Sequence, residues 1–480
     1  MDRILLAGFA LCLAVFLGCL GYGLALDYSF WLDEMISVSF AQAGFGEALR
    51  LAFQDVHTPL YPAVLALWTK GFGTSELAAR GLSALWAGGA LACLLTLRGR
   101  FPDRQILIAM ILLISHPLFF YFAQEARPYA MLLCLSTLSV CLLLRGSPWL
   151  PLAAVALGLT HYFGALLAVA LLSLSWWNGP RGWRTCVVPG LVFACLVAWP
   201  VSQLLFGRLG SRLGGEHWIE AGPVESLYLA MRAVVPVVER GVFAVGLPRD
   251  LGGYIHLAFI VLGVIGIVGL AIRTPRARLS QPAMVFLAYA IVVLGASLLS
   301  FHTPVSTERN FIVLVPLAAV LGAVVSGHLL EMRRLRGGVV AALIVYVALS
   351  VLLAGVRVLD KTAPYQEWRG LFADAGAVAM ETGGAIYVWI PTDGPSSNGY
   401  YERPHLFYVP ADLEVRPIYR SGLAGLRPGD AVVFGNVVVT ADGVTAFEEA
   451  LRGAGQVFRP SRAAQTASSA NGIVVILGDG

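Results

Sequence analysis

The sequence predicts an α-helical polytopic membrane protein with about eleven transmembrane helices and a small C-terminal α/β domain outside the membrane. Three observations predict it. The chain is 58% hydrophobic and 13% charged, with a mean hydropathy of +0.76, a balance that a water-soluble globule of 480 residues does not sustain. Arginines cluster at 98–104, 181–184, 273–278 and 333–336, between apolar runs, which is a topology signal. After residue 357 the long apolar runs end, and short strand-like runs separated by Gly, Pro and Ser follow.

A crossing helix needs about 20 apolar residues. Runs near 4–26, 76–97, 105–122, 128–144, 185–206, 254–272, 282–301, 310–328 and 338–356 meet that length. The first is long for the core of a signal peptide and has only Arg3 before it, so it reads as a crossing with the N-terminus inside. Residues 59–73 are short and carry Pro62 and Lys70, while 149–177 is too long for one crossing and is interrupted by "THYF". All four arginine clusters fall on the cytoplasmic side only if 59–73 does not cross and 149–177 crosses twice, as a tight hairpin with His161 and Tyr162 near its outer tip.

The first outer loop then spans 27–75, and within it Phe45, Leu49, Ala52 and Phe53 fall on one face of an interfacial helix. A long outer segment follows at 207–253, and shorter ones hold "AQEARPYA" and "FHTPVSTERN". Residues 1–357 form the membrane unit and 358–480 the outer α/β domain, in which a helix near 365–384 precedes strands at "AIYVWIP", "AVVFGNVVV" and "GIVVILG". The aromatic stretch 398–409 reads as that domain's own core or as a glycan-stacking surface.

Composition also bounds function. The net charge of +4 has no basic face with interleaved aromatics, so no nucleic-acid partner is expected. The seven cysteines all lie in apolar runs and read as small buried hydrophobes.

Chemistry-bearing residues gather at the outer face. Asp33 and Glu34, adjacent in "FWLDEMISVSFAQ", fit a solvated boundary, a pair of metal ligands, or a catalytic base with its neighbour. Asp55 and His57 are suited to a divalent ion, as is Glu34, although so few ligands do not specify a site. Arg127 and Arg309 suit headgroup anchoring or bidentate phosphate binding. Acid, imidazole and guanidinium groups converging at one bilayer face fit a lipid whose phosphate lies at headgroup level.

"WLDE", "D-x-H-x-P-L-Y", "GTSELAARGLSAL", "QEARPYAMLL", "THYF" and "ERNFIVLVPL", in this order and spacing over roughly residues 1–360, resemble the GT-C superfamily of polyprenyl-phosphate-sugar-dependent glycosyltransferases. The nearest relatives by this resemblance are bacterial proteins akin to protein O-mannosyltransferases and the lipid A aminoarabinose transferase. One departure is His57-Thr58-Pro59 where the family pattern is His-Pro-Pro.

The resemblance implies a GT-C-like fold, and it implies that Asp33 is the catalytic base, with Glu34 orienting the acceptor or helping to bind a metal. Asp55 and His57 would shape the same pocket, Glu125 and Arg127 would supply polar groups, and Arg309 would hold the donor phosphate. Tyr129, His161, Tyr162 and His302 complete the substrate-binding set. A polyprenyl-phosphate sugar is the implied donor, with a glycan, lipid or protein acceptor and inversion at the anomeric carbon. Magnesium or manganese is compatible with Glu34, Asp55 and His57 but not required. The implied location is the bacterial inner membrane, with the site on the periplasmic side. The competing readings are a transporter or flippase of lipid-linked sugars and a non-catalytic envelope assembly protein.

Overall fold

The computed structural model describes residues 2–25, 28–54, 57–179, 191, 194, 198, 221–235, 248–273, 279–361, 368–390, 402–438, 441–465 and 469–477. Asp55, the expected span 185–206 save three positions, Cys186, Cys195, and most of the arginine clusters at 181–184 and 273–278 lie outside the described residues.

Helix α1 (Asp2–Ala25) opens the chain, followed by three short helices, α2 (Leu32–Gln42), α3 (Phe45–Gln54) and α4 (Leu60–Phe72). Next come α5 (Glu76–Leu95), α6 (Asp103–Ile114), α7 (Pro117–Phe122), α8 (Tyr129–Arg145), α9 (Leu150–Thr160) and α10 (Tyr162–Asn178). The described membrane unit continues with α11 (Pro223–Val234), α12 (Arg249–Arg273), α13 (Gln281–Leu299), a 3-10 turn (Glu308–Leu314), α14 (Val315–Glu331) and α15 (Arg336–Lys361).

Among the described residues, six helices are long and apolar enough to cross a membrane: Arg3–Leu24, Glu76–Leu95, Arg249–Gly269, Gln281–Leu299, Glu308–Glu331 and Arg336–Arg357. They coincide with six of the expected runs, and by this measure the chain is a multi-pass membrane protein.

Four details differ from the sequence reading or refine it. The run 105–122 is not one helix, because His116 caps a new helix with Pro117 in its first turn, and the His116 imidazole accepts the Leu118 N–H at 3.2 Å. Proline is tolerated there because the N–H it lacks would have no intrahelical partner at the first helical position. The 149–177 run breaks at His161, where the backbone is extended, and α9 and α10 pack closely enough that a Cβ on Gly164 would meet the Leu157 carbonyl. Its first half has 11 residues, about 16 Å of helix against a hydrocarbon core of about 30 Å. In α3 the buried face is Ala48, Leu51 and Ala52, whereas Phe45 is exposed and Leu49 and Phe53 are half-buried. Finally, α4 has 13 residues, about 20 Å, which suits the expectation that it does not cross.

The core joins these helices into one unit. Phe16 of α1 meets Phe119 and Phe120 of α7 edge-on, with ring centroids 5.0 and 5.3 Å apart, a favourable aromatic geometry. Short α7 therefore has an inner apolar anchor while its other side borders the site.

The C-terminal segment folds as α16 (Trp368–Thr382), β1 (Ile386–Trp389), α17 (Glu402–His405), β2 (Val415–Ile418), β3 (Ala431–Val438), α18 (Ala441–Gly453), β4 (Val457–Gln465) and β5 (Ser469–Leu477). The strands form one sheet in the order β2-β1-β3-β5-β4, parallel at β1 and antiparallel on both sides of β5. Three strands correspond to the apolar runs read from sequence. The other two, β2 and β4, contain Arg, Pro and Gln and lack that signal.

Candidate functional site

The site starts at the first turn of α2. Successive residues on a helix project about 100° apart, so adjacent Asp33 and Glu34 leave α2 on different faces. Glu34 turns inward and is completely buried. Its carboxylate accepts two hydrogen bonds from Arg80 of α5, at 3.0 Å from Nε and 2.8 Å from Nη2. It also accepts the Ala126 N–H at 2.8 Å and the Trp31 N–H at 3.3 Å. Arg80 is buried too, donates to the main-chain carbonyls of Tyr28 and Ser29, and stacks 3.8 Å from the Tyr28 ring centroid. A bidentate ion pair with its remaining donors and lone pairs engaged is the form in which a buried pair is tolerable.

Asp33 points the other way and stays 24% exposed. Its carboxylate lies 3.2 Å from Arg309 Nη1 and 3.4 Å from Arg127 Nη2. Arg127, on the turn between α7 and α8, also donates from Nη1 to the Asp33 carbonyl and to Ser37 Oγ, each at 2.9 Å. Burial works against the charge on Arg127, but Asp33, Tyr129 and Glu125 outweigh it and raise its pKa, so the guanidinium stays protonated.

Arg309 is the second residue of the 3-10 turn that leads into α14, with Trp31 and Tyr129 flanking its guanidinium at 5.9 and 5.8 Å. Its neighbour Glu308 is clamped between Arg357 of α15 at 2.7 Å and Arg232 of α11 at 2.9 Å. Among the described residues, four guanidiniums (127, 232, 309 and 357) thus gather with three carboxylates (33, 125 and 308).

Beside this cluster lies a cavity of about 270 Å³. Arg309, Arg357, Glu308 and Glu125 line it together with Leu118, Tyr121 and Phe122 of α7, Trp31 and Thr307. Trp31 Nε1 and Thr307 Oγ1 are buried at its wall without a hydrogen-bond partner among the described residues. Such donors suit an anionic guest.

The structure brings Asp33, Glu125, Arg127, Tyr129 and Arg309 together. His161 joins through Tyr129, with ring centroids 5.9 Å apart. His57 lies edge-on to Phe40 at 6.2 Å, Tyr162 starts α10, and His302 is exposed on the turn after α13. Among the described residues, His302 makes no hydrogen bond, ion pair or ring contact with the cluster.

Glu34, expected at the acceptor or on a metal, sits in the Arg80 pair instead, so both its oxygens are engaged. Among the described residues no three His, Cys, Asp or Glu side chains are grouped to hold a metal ion. Arg80, Glu308, Arg357, Arg232 and Ser37 were not singled out from sequence. An arginine within the apolar helix 76–95 is itself a signal that a buried partner exists.

No protein-family model matches the chain, and no curated protein matches it. Solved structures do. ArnT from Cupriavidus metallidurans in the apo state superposes with a TM-score of 0.56 at 14% identity, covering 98% of this chain and 99% of that one. The same protein bound to undecaprenyl phosphate gives 0.56 at 15% identity with the same coverage. An archaeal oligosaccharyltransferase, AglB from Archaeoglobus fulgidus, matches at a TM-score of 0.41 and 10% identity, covering 93% of this chain and 73% of that one. The chain therefore has the fold of ArnT over nearly its whole length.

Proposed function

We propose that this protein transfers a hexose or pentose from a polyprenyl-phosphate carrier to an acceptor hydroxyl on the extracytoplasmic face of the bacterial inner membrane, with inversion. The observation that carries this is Asp33, held by Arg127 and by Arg309, whose guanidinium joins Arg357 in lining a cavity that also has apolar residues of α7. The fold supports it, since one ArnT structure of that fold is bound to undecaprenyl phosphate.

In this mechanism the prenyl chain lies along Leu118 and Phe122 and the phosphate meets Arg309 and Arg357. A phosphate there competes with Asp33 for Arg309, which leaves the Asp33 carboxylate able to accept the acceptor's proton. The acceptor oxygen attacks the anomeric carbon as the bond to the phosphate oxygen breaks. The charge growing on the departing polyprenyl phosphate is held by guanidiniums already in place. Thr307 and Trp31 donate to the same phosphate. Arg127 keeps Asp33 oriented, and His161 and Tyr129 border the sugar. Glu34 supports the loop and takes no part in proton transfer.

The test uses the purified chain in nanodiscs with undecaprenyl phosphate as probe. Binding should saturate and should weaken in Arg309→Ala. Mass spectrometry of the lipid carried through purification should then reveal a glycosylated polyprenyl phosphate. Failure of the parent chain to bind undecaprenyl phosphate would remove the proposal.

A further inference from the structure

The C-terminal α/β unit is joined to the base-bearing segment by a specific polar latch. Tyr408, three residues after α17, accepts the Phe30 N–H on its hydroxyl at 2.6 Å and donates that hydroxyl to Glu76 Oε1. Arg369 of α16 pairs with the same Glu76 oxygen and lies 5.3 Å from the Tyr408 ring centroid. Phe407 meets Phe30 edge-on at 5.7 Å. Glu76 is the first residue of α5, is only 6% exposed, and stands one helical turn before Arg80.

Residues 28–34 are therefore gripped from two directions. Arg80 holds the Tyr28 and Ser29 carbonyls and the Glu34 carboxylate, while Tyr408 holds the Phe30 N–H between them. Both grips converge on the start of α5, and Asp33 lies three residues beyond Phe30.

We infer that Tyr408 is a positioning residue for transfer: through Phe30 and Glu76 the C-terminal unit sets where the Asp33 carboxylate stands, so the unit is part of the catalytic machinery and not an appended domain. The inference rests on the proposed role of Asp33 as base. Burial, and then the hydrogen bond to Glu76, raise the Tyr408 pKa, so its hydroxyl keeps the proton it donates. A hydroxyl lost from such a support displaces a reacting group by a fraction of an ångström to an ångström, which acts on turnover more than on binding.

The experiment replaces the parent chain in its host with Tyr408→Phe, which keeps the ring against Phe30 and loses both hydrogen bonds. Two quantities are read in membranes: release of free polyprenyl phosphate from the host's own lipid-linked sugars, and inhibition of that release by added undecaprenyl phosphate. Release should fall about 10- to 100-fold, with the inhibition constant for undecaprenyl phosphate unchanged. Hydrogen exchange on the purified variant should speed up in the peptide around Phe30 and not in residues 315–331. Arg369→Lys should retain more release than Arg369→Ala.

Parent-like release and exchange in Tyr408→Phe, while Asp33→Asn is inactive, would overturn the latch and leave the proposed function standing. Loss of undecaprenyl phosphate affinity in step with release would also overturn it, because the whole site would then have collapsed. Parent-like release by Asp33→Asn would instead sink the function on which the latch rests.

Discussion

Asp33 and Glu34 are consecutive carboxylates on one helix, and both face arginine, yet their surroundings are opposites. The Glu34–Arg80 pair is dry, bidentate and closed by two main-chain N–H groups. Asp33 shares two arginines at longer distances, keeps contact with solvent, and one of its arginines, Arg309, lines a cavity. In the first region the charges satisfy each other and any change exposes a desolvated partner. In the second, among the described residues, guanidiniums outnumber carboxylates four to three, and a guest phosphate can join them. Identical side-chain chemistry therefore serves structure in one place and recognition in the other, and burial decides which.

Breaking the closed pair should have the largest effect on stability. Arg80→Ala leaves Glu34 buried without its cation, which costs about 3 to 5 kcal/mol. Thermal inactivation in nanodiscs should show this as a steep loss of folded protein. Glu34→Gln should lie in the same direction, and high salt should rescue neither variant, since a dry pair is little screened. Stability near that of the parent in Arg80→Ala would erase the distinction between the two regions.

In the open cluster, Arg309→Lys keeps the charge but loses the planar fork. Affinity for undecaprenyl phosphate should drop by about 1 to 3 kcal/mol, with folding little changed because Arg309 is 26% exposed. If titration instead gives parent affinity, Arg309 is an anchor and Arg357 becomes the principal phosphate partner.

Thr307→Val removes a hydroxyl from the cavity wall at almost constant volume. It should weaken undecaprenyl phosphate binding by about 0.5 to 1.5 kcal/mol, and no change would place the phosphate away from that wall. His302→Ala, on an exposed turn, should alter neither stability nor binding, and a clear effect would extend the site beyond the cluster.

The part of this comparison visible in sequence is its ingredients. Long apolar runs made α12 to α15 legible because helix length across a bilayer is set by hydrocarbon thickness. The break at His116-Pro117 was hidden because the apolar runs on its two sides together reach crossing length. Asp33, Arg127 and Arg309 stood out as charged groups beside apolar runs, and the structure gathers them from positions 94 and 276 residues apart.

Arg80 and Glu34 are 46 residues apart, and no local pattern encodes that they meet. Arg357 directly follows the apolar run 338–356 and nothing local marks it, yet it holds Glu308 at the cavity. Tyr408 was hidden among aromatics that read as a domain core or a sugar platform. Its hydroxyl in fact reaches residues 332 and 378 positions away. Pairings over such distances are fixed by tertiary packing, which composition and periodicity do not report.

The central claim is that Asp33 accepts the acceptor's proton. Asp33→Asn keeps size and most hydrogen bonding, so the purified variant should match the parent in stability and bind undecaprenyl phosphate at least as well. Measured in the same membranes, its release of polyprenyl phosphate from lipid-linked sugar should fall by about 100- to 10,000-fold, the usual range for a positioned base. Release at the parent rate by a folded, undecaprenyl-phosphate-binding Asp33→Asn protein would contradict the claim directly.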